Sequence, residues 1–400
     1  MTSIKVKLRA SNSADSTGTV YYQVIHERKV RHLATPYTLL RSEWNERRSA
    51  PGVSADSGRN RTLSWYRECI SRDVERIRRI IRDLEARTLV FTADDIIDEF
   101  KLFRLTYSVG SYTRSLIDLM HRHEKKRTAE TYMCALRSFM KFCNNCDLTL
   151  DALSAEIVES YEAALRKRGN TPNTTSFYMR ILRAVYNRAV DEGAIEDERP
   201  FRHVYTGVEK TVKRALPLPL IRKMKHLDLS ANPATEYARD MFLMSFYLRG
   251  MSFIDMAFLR KKDLADGRIV YRRRKTGQTL HIGWTPEMQS LIDKYSESGS
   301  EYLLPILPGD VADKRKAYRN AAYRINRHLK KVGARLGLKI PLTMYCARHS
   351  WASAAKTKGI PLGVISEGMG HDSETTTRIY LASLESSVVD KANSIILNSL

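Results

Sequence analysis

Cysteine is scarce in this 400-residue chain. There are five (Cys69, Cys134, Cys143, Cys146 and Cys346), an odd number without the spacing of a disulfide framework. That usage excludes a disulfide-built scaffold and suits a reducing compartment. No stretch approaches the roughly eighteen consecutive apolar residues of a membrane helix. The start, Met1-Thr2-Ser3-Ile4-Lys5-Val6-Lys7, lacks the apolar run of a secretory signal. A cytoplasmic location without membrane contact is expected. No Gly-x-x-x-x-Gly-Lys-Ser/Thr occurs, so a P-loop nucleotide site is unsupported. Cys143-x-x-Cys146 has no second pair and His121-Arg122-His123 is distant, so no metal and no other cofactor is expected.

Acidic residues are also in deficit. The chain carries 67 Lys+Arg against 45 Asp+Glu, a formal net charge of +22. Such an excess favours a polyanionic partner, because each neutralised phosphate releases condensed counterions. A hydrophobic content of 43% is that of a folded protein, and the length suggests two or three domains.

Residues 4–40 alternate with the period of strands. Ile4–Leu8, Val20–His26 and a basic return through Lys29–Leu33 read as a small antiparallel sheet with Lys, Arg and His at its polar positions. Over 64–86 the period lengthens to that of a helix, with Tyr66, Cys69, Ile70, Val74, Ile77, Ile80, Ile81 and Leu84 on one stripe. Arg72, Arg76, Arg78, Arg79 and Arg82 surround it, facing either solvent or DNA. A short helix at 94–100 and a polar break near Ser108–Ser111 precede helices near 112–123, 128–143, 154–168 and 173–192. The basic, aperiodic stretch 199–219 reads as a linker. Helices near 234–248 and 252–260, a hairpin near 268–283 and further helices complete the chain. Trp65, Trp284 and Trp351 read as core aromatics.

Chemistry concentrates near the C-terminus, in Cys346-Ala347-Arg348-His349-Ser350-Trp351, Met369-Gly370-His371 and Thr377-Arg378-Ile379-Tyr380. A guanidinium such as Arg348 grips two phosphate oxygens and stabilises the charge that grows on them. Thr343 can cap its helix, on which Tyr345, Arg348, Ala352 and Ala355 share a face. His371 can bond a phosphate oxygen or handle a proton near neutral pH, whereas His349 reads as structural. Tyr380 is either an amphipathic core residue or a phenol nucleophile. Ile269, Tyr271, Arg273 and Lys275 share a strand face by the period of two, and Lys275 at the hairpin tip is either plain basic surface or a proton donor to a leaving oxygen.

These residues resemble the tyrosine recombinase (phage integrase) family, of the type carried by mobile elements and conjugative transposons. Thr128-Ala129-Glu130-Thr131-Tyr132 and the run Tyr178 to Val190 look like its SAM-like core-binding domain, and the N-terminal sheet and helix look like an arm-site-binding module. The resemblance implies a mainly α fold with small β elements in three domains: an arm-type DNA-binding module over 1–105, a SAM-like helical domain over 106–205, and a mostly helical catalytic domain with a small antiparallel sheet and a tail helix over 206–400. It implies a site-specific recombinase that attacks DNA with Tyr380 through a 3′-phosphotyrosine, with Arg348, His371, Arg249 and Tyr345 on the phosphate and Lys275 as general acid. Arg273, Lys213, Arg214, Arg180 and Arg183 are the expected DNA contacts.

It further implies a homotetramer on paired double-stranded attachment sites, a nucleoid-associated location and an accessory DNA-bending protein as an optional partner. The apolar spacing of 388–397 suits a tail helix docked on its own or a neighbouring subunit. The alternatives are a type IB topoisomerase-like nicking-closing enzyme and a catalytically silent DNA-binding regulator.

Two positions depart from the family pattern. Tyr345 stands where His of His-x-x-Arg is usual. Ser252 stands where the first catalytic arginine is expected three residues before an acid, here Asp255, and the pair also reads as a capping box. Arg249 is the expected substitute and Arg273 the second candidate.

Overall fold

A computed structural model describes residues 2–11, 16–87, 90–209, 214–295, 299–308, 311–371, 373–381 and 397. They divide into two compact units, Met1–Glu209 and Lys210–Leu400.

In the first unit, β1 (Thr2–Arg9), β2 (Thr17–His26) and β3 (Lys29–Leu40) form an antiparallel sheet with β2 at its centre. Alternation decides its faces: Val20, Tyr22 and Val24 point inward with Leu33, Tyr37 and Leu39, while Lys5, Lys7 and Arg9 stay exposed. A minimal ribbon, β4 (Trp44–Asn45) with β5 (Ala50–Pro51), leads into α1 (Ser57–Arg87). That helix starts earlier than its apolar stripe predicts. Next come α2 (Ala93–Tyr107), α3 (Val109–Arg122), α4 (Lys126–Phe142), α5 (Ala155–Lys167) and α6 (Pro172–Asp191). The expected break narrows to Ser108, whose hydroxyl accepts the Ser111 N–H at the start of α3.

One continuous core runs from Val20 to Val204, taking in the sheet, α1, α2 and the four later helices. Buried Asp73 of α1 accepts hydrogen bonds from the hydroxyls of Tyr22 (2.6 Å) and Tyr37 (3.0 Å), and Arg104 of α2 lies 3.7 Å from it. Desolvation raises the Asp73 carboxyl above its usual range, with Arg104 and the two phenols opposing. The five arginines expected around the apolar stripe of α1 turn to carboxylates. Arg72 pairs with Glu198, Arg76 with Asp151 at 2.6 Å and Arg79 with Glu196 at 2.9 Å, while Arg78 and Arg82 reach Glu75. Arg76 also lies over the Phe103 ring, 3.9 Å from its centroid.

The second unit opens with α7 (Leu218–Lys225), which begins in the last two residues of the stretch expected to be linker and runs on where no helix was expected. Pro219 is tolerated there because it sits in the first turn, where no N–H is needed. The central helix α8 (Pro233–Tyr247) buries Met241 to Ser245 in succession. Its Arg239 donates to the carbonyls of Lys225 and Leu227, each at 3.1 Å, and so closes the end of α7. Around it lie α9 (Phe253–Ala257), the sheet β6 (Leu264–Ala265), β7 (Arg268–Arg272) and β8 (Thr279–Gly283), and α10 (Pro286–Tyr295). The chain continues through α11 (Lys314–Arg335), α12 (Met344–Thr357), α13 (Leu362–Met369) and α14 (Glu374–Leu381). The tail helix expected over 388–397 lies, but for Leu397, outside the described residues.

Candidate active site

The site begins where α8 stops. Arg249 and Gly250 both take left-handed backbone (φ 58° and 72°), a conformation that costs a non-glycine residue about 1–2 kcal/mol. At Gly250 nothing else fits, because a Cβ would come within 2.7 Å of the Arg348 Cα. Ser252 then caps α9 and donates to Asp255 Oδ2 at 2.6 Å. The other Asp255 oxygen accepts the Arg274 N–H at 2.9 Å, tying α9 to the β7–β8 hairpin. Ser252 and Asp255 thus do the structural work of a cap.

In the hairpin, Ile269, Tyr271 and Arg273 follow the period of two and are buried, but Lys275 does not share their face. The strand ends at Arg272, and bonds between Arg273 and Gln278 and between Gly277 and Arg273 (each 2.8 Å) close a turn that leaves Lys275 exposed. Arg273, expected as a DNA contact and as the second candidate for the first catalytic arginine, is only 7% exposed, and its Nη1 donates to the Gly370 carbonyl. It makes no ion pair among the described residues. The Thr276 hydroxyl and the Gln278 side-chain oxygen are buried without a hydrogen-bond partner there.

Arg348 is 5% exposed on α12. Its Nη1 donates to the Gly250 carbonyl at 3.0 Å, and its Nη2 to the Met369 carbonyl at 2.6 Å and to His371 Nε2 at 3.0 Å. The N-terminus of α12 is held differently from expectation. Thr343 occupies the cap position without capping, and the Asn326 side chain accepts the Met344 N–H at 2.9 Å instead. Tyr345 lies one turn from Arg348 but is 58% exposed, edge-on to buried His349 at 4.6 Å.

Helix α13 ends in a Schellman turn, with His371 N–H on Ser366 O (3.0 Å), Gly370 N–H on Glu367 O (2.9 Å) and Gly370 left-handed at φ 63°. This turn presents His371 to Arg348. On the far side, His371 Nδ1 lies 2.7 Å from the hydroxyl of Thr377, a fully buried residue of α14. Tyr380 follows on the same helix; its side chain lies outside the described part of the molecule.

Burial and Asp255 push the Tyr271 phenol above the usual range, while Arg348, Arg273 and Arg249 pull it down. Arg249 is half-buried, its Cδ 3.9 Å from where a Gly368 Cβ would sit, next to Trp351. The structure therefore gathers Arg249, Arg273, Arg348 and His371, and leaves Lys275 and Tyr345 exposed at the margins. Such an arrangement can grip an anion with permanently charged donors and pass a proton through an imidazole.

Away from this cluster, Arg180 on α6 and Arg214 are exposed, Arg183 donates to the Thr206 hydroxyl at 3.0 Å, and Lys213 lies outside the described residues. Cys143 and Cys146 close the turn after α4, and burial pushes the Cys146 thiol up to about 11. Sequence reasoning did not single out Thr377 or the basic side of α11, which exposes Lys316, Arg319, Arg324, Arg327, Lys330 and Lys331. The density of Lys and Arg in that segment was a usable signal.

Comparison with known proteins places this geometry. Residues 108–204 match the phage integrase SAM-like domain and residues 222–387 the phage integrase family, about two thirds of the chain between them. The tyrosine recombinase XerA of Thermococcus kodakarensis is 28% identical over 239 residues, 57% of this chain and 77% of that protein. A lambda integrase tetramer bound to a Holliday junction superposes with a TM-score of 0.53 at 15% identity, covering 92% of this chain and 96% of that one. The Tn1549 transposon integrase in complex with a circular intermediate DNA gives 0.52 at 15% identity, covering 68% and 95%.

Proposed function

The chain belongs to the phage integrase family of tyrosine recombinases, enzymes that break and rejoin DNA, and from that premise we propose that it integrates or excises a mobile element through a 3′-phosphotyrosine intermediate. The Tyr380 oxygen attacks the scissile phosphorus, forming the O–P bond as the bond to the 5′ oxygen breaks. The phenol proton passes to His371, and Lys275 protonates the departing 5′ oxygen. Arg348 and Arg249 neutralise the phosphate oxygens as charge grows on them. Arg273 supports the turn that carries His371, and Tyr345 donates from the margin. Rejoining reverses these steps with a new 5′-hydroxyl, so the phosphodiester bond is conserved without ATP.

The supporting observation is the convergence of Arg348, Arg273 and His371 at the end of α13, one short turn before the helix that bears Tyr380. Positive charge elsewhere fits the same partner. The exposed side of α11, Arg180, Arg214 and the Lys5, Lys7 and Arg9 row of β1 would lie along duplex phosphates. On this reading the N-terminal sheet holds arm-type sites, the helical part of the first unit holds the core site, and a homotetramer pairs two attachment sites, with a DNA-bending protein as helper. The division into 1–105, 106–205 and 206–400 belongs to the same proposal.

A nicked suicide duplex, which releases the leaving strand and traps the covalent intermediate, tests it. The natural chain should become covalently attached to DNA, and Tyr380→Phe should bind that duplex with unchanged affinity yet form no adduct. An adduct persisting in the variant would remove Tyr380 from the role.

A further inference from the structure

We propose that Thr377 is a positioning residue that accepts the Nδ1–H of His371 in the tautomer Arg348 imposes, and that ties the readiness of that imidazole to the helix carrying the nucleophile. The inference rests on the functional reading above. Its starting point is donor arithmetic. An arginine side chain has five N–H donors and no acceptor. The bond between Arg348 Nη2 and His371 Nε2 (3.0 Å) therefore requires Nε2 to be the unprotonated nitrogen. In a neutral imidazole the proton then sits on Nδ1, which donates to the Thr377 hydroxyl at 2.7 Å. An imidazolium would point an Nε2–H at a guanidinium N–H, so this contact belongs to the neutral ring.

The consequence is directional. When a phosphate oxygen draws Arg348 Nη2 away, the Nε2 lone pair is uncovered while Thr377 still holds Nδ1. His371 thus enters the reaction as a proton acceptor for the tyrosine, not as a donor to phosphate. On accepting that proton it becomes an imidazolium whose Nδ1–H is still bonded by Thr377, and on rejoining it returns the same proton. Thr377 is fully buried and lies three residues before Tyr380 on α14, one turn of the same helix. Any displacement of α14 that withdraws the nucleophile also withdraws the hydroxyl that supports the Nδ1–H of His371 once the ring has accepted the proton. Base and nucleophile are armed together.

The test uses the full chain with Thr377→Val, which keeps the shape and removes the hydroxyl, and Thr377→Ser, which keeps the hydroxyl. Nitrogen-15 NMR of the histidine rings without DNA, assigned by comparison with His371→Gln, should show His371 of the natural chain protonated on Nδ1. Thr377→Ser should match it, and Thr377→Val should keep that tautomer through Arg348 while its Nδ1–H resonance moves upfield as the bond to the hydroxyl is lost. Single-turnover cleavage of the nicked duplex should fall roughly 10–100-fold in Thr377→Val, a part of the 10²–10⁴ that acid–base catalysis usually supplies, with DNA affinity unchanged. The acid limb of its pH–rate profile should move to lower pH, because nothing then supports the imidazolium Nδ1–H; Thr377→Ser should restore both. A natural chain protonated on Nε2, or a Thr377→Val variant with the natural rate and profile, would overturn the proposal. The NMR readout needs no DNA cleavage, so failure of the phosphotyrosine reading registers separately, in the trapping of Tyr380.

Discussion

On α1, Arg72, Arg76 and Arg79 end on carboxylates from segments that follow in sequence. In the second unit, Arg273 and Arg348 end on the carbonyl oxygens of Gly370, Gly250 and Met369 and on a histidine. The side chain is the same and the physical result differs. A carboxylate cancels the guanidinium charge and turns it into packing and register. A carbonyl fixes the plane of the guanidinium with a dipole and, at Arg273, which makes no ion pair among the described residues, leaves its net charge in place for an anion. Counting arginines would rank α1 as the stronger candidate for a phosphate-gripping surface, whereas identifying their partners reverses the order.

The largest effect that could break this comparison is at Arg348. Arg348→Ala should slow single-turnover cleavage by about 10²–10³-fold, with DNA affinity nearly unchanged, as expected for a contact made chiefly in the transition state. A variant that loses binding and rate in equal measure would put Arg348 with the ordinary phosphate contacts. Arg249 sharpens the contrast, because its left-handed backbone sets stability against function. Arg249→Gly should gain about 1 kcal/mol in denaturant unfolding by relieving that strain. It should still lose cleavage by more than Arg273→Ala does, and intact cleavage would exclude Arg249 as the substitute for the arginine missing at Ser252. Smallest are the α1 pairs. Arg76→Ala, at a half-buried pair that also covers Phe103, should cost about 1–2 kcal/mol of stability, and Arg79→Ala, at an exposed pair, less than about 1 kcal/mol. Neither should change cleavage per folded molecule, and a rate change in Arg79→Ala without loss of stability would return α1 to the DNA.

The sheet and most helices were legible because their apolar periods are local properties of the chain. The α1 arginines were not, since Arg72 meets Glu198 across 126 residues and no local pattern announces such a partner. Helix α7 was hidden by Pro217 and Pro219, which read as linker until one sees that proline in a first turn removes no bond. The strand period correctly placed Arg273 beside Tyr271 and was carried one step too far to Lys275, because the turn that ends it depends on Gln278 and Gly277. That Arg348 and His371 lie together was readable from their motif. Thr377 was not, since its role appears only once the Schellman turn brings His371 back against α14.

The continuous core of the first unit bears on how a DNA molecule would be measured. Two binding surfaces joined by a slack tether accept a wide range of site spacings, because the tether sets only an average effective concentration for the second contact. Here the basic row of the N-terminal sheet and the helices of the core-site reading are braced by α1 and by Asp73, with no tether between them. On the reading proposed above, such a body would act as a gauge. It would engage both sites when the intervening DNA brings them to one distance, and a mismatch of a few base pairs would have to be absorbed by bending the duplex and not by the protein.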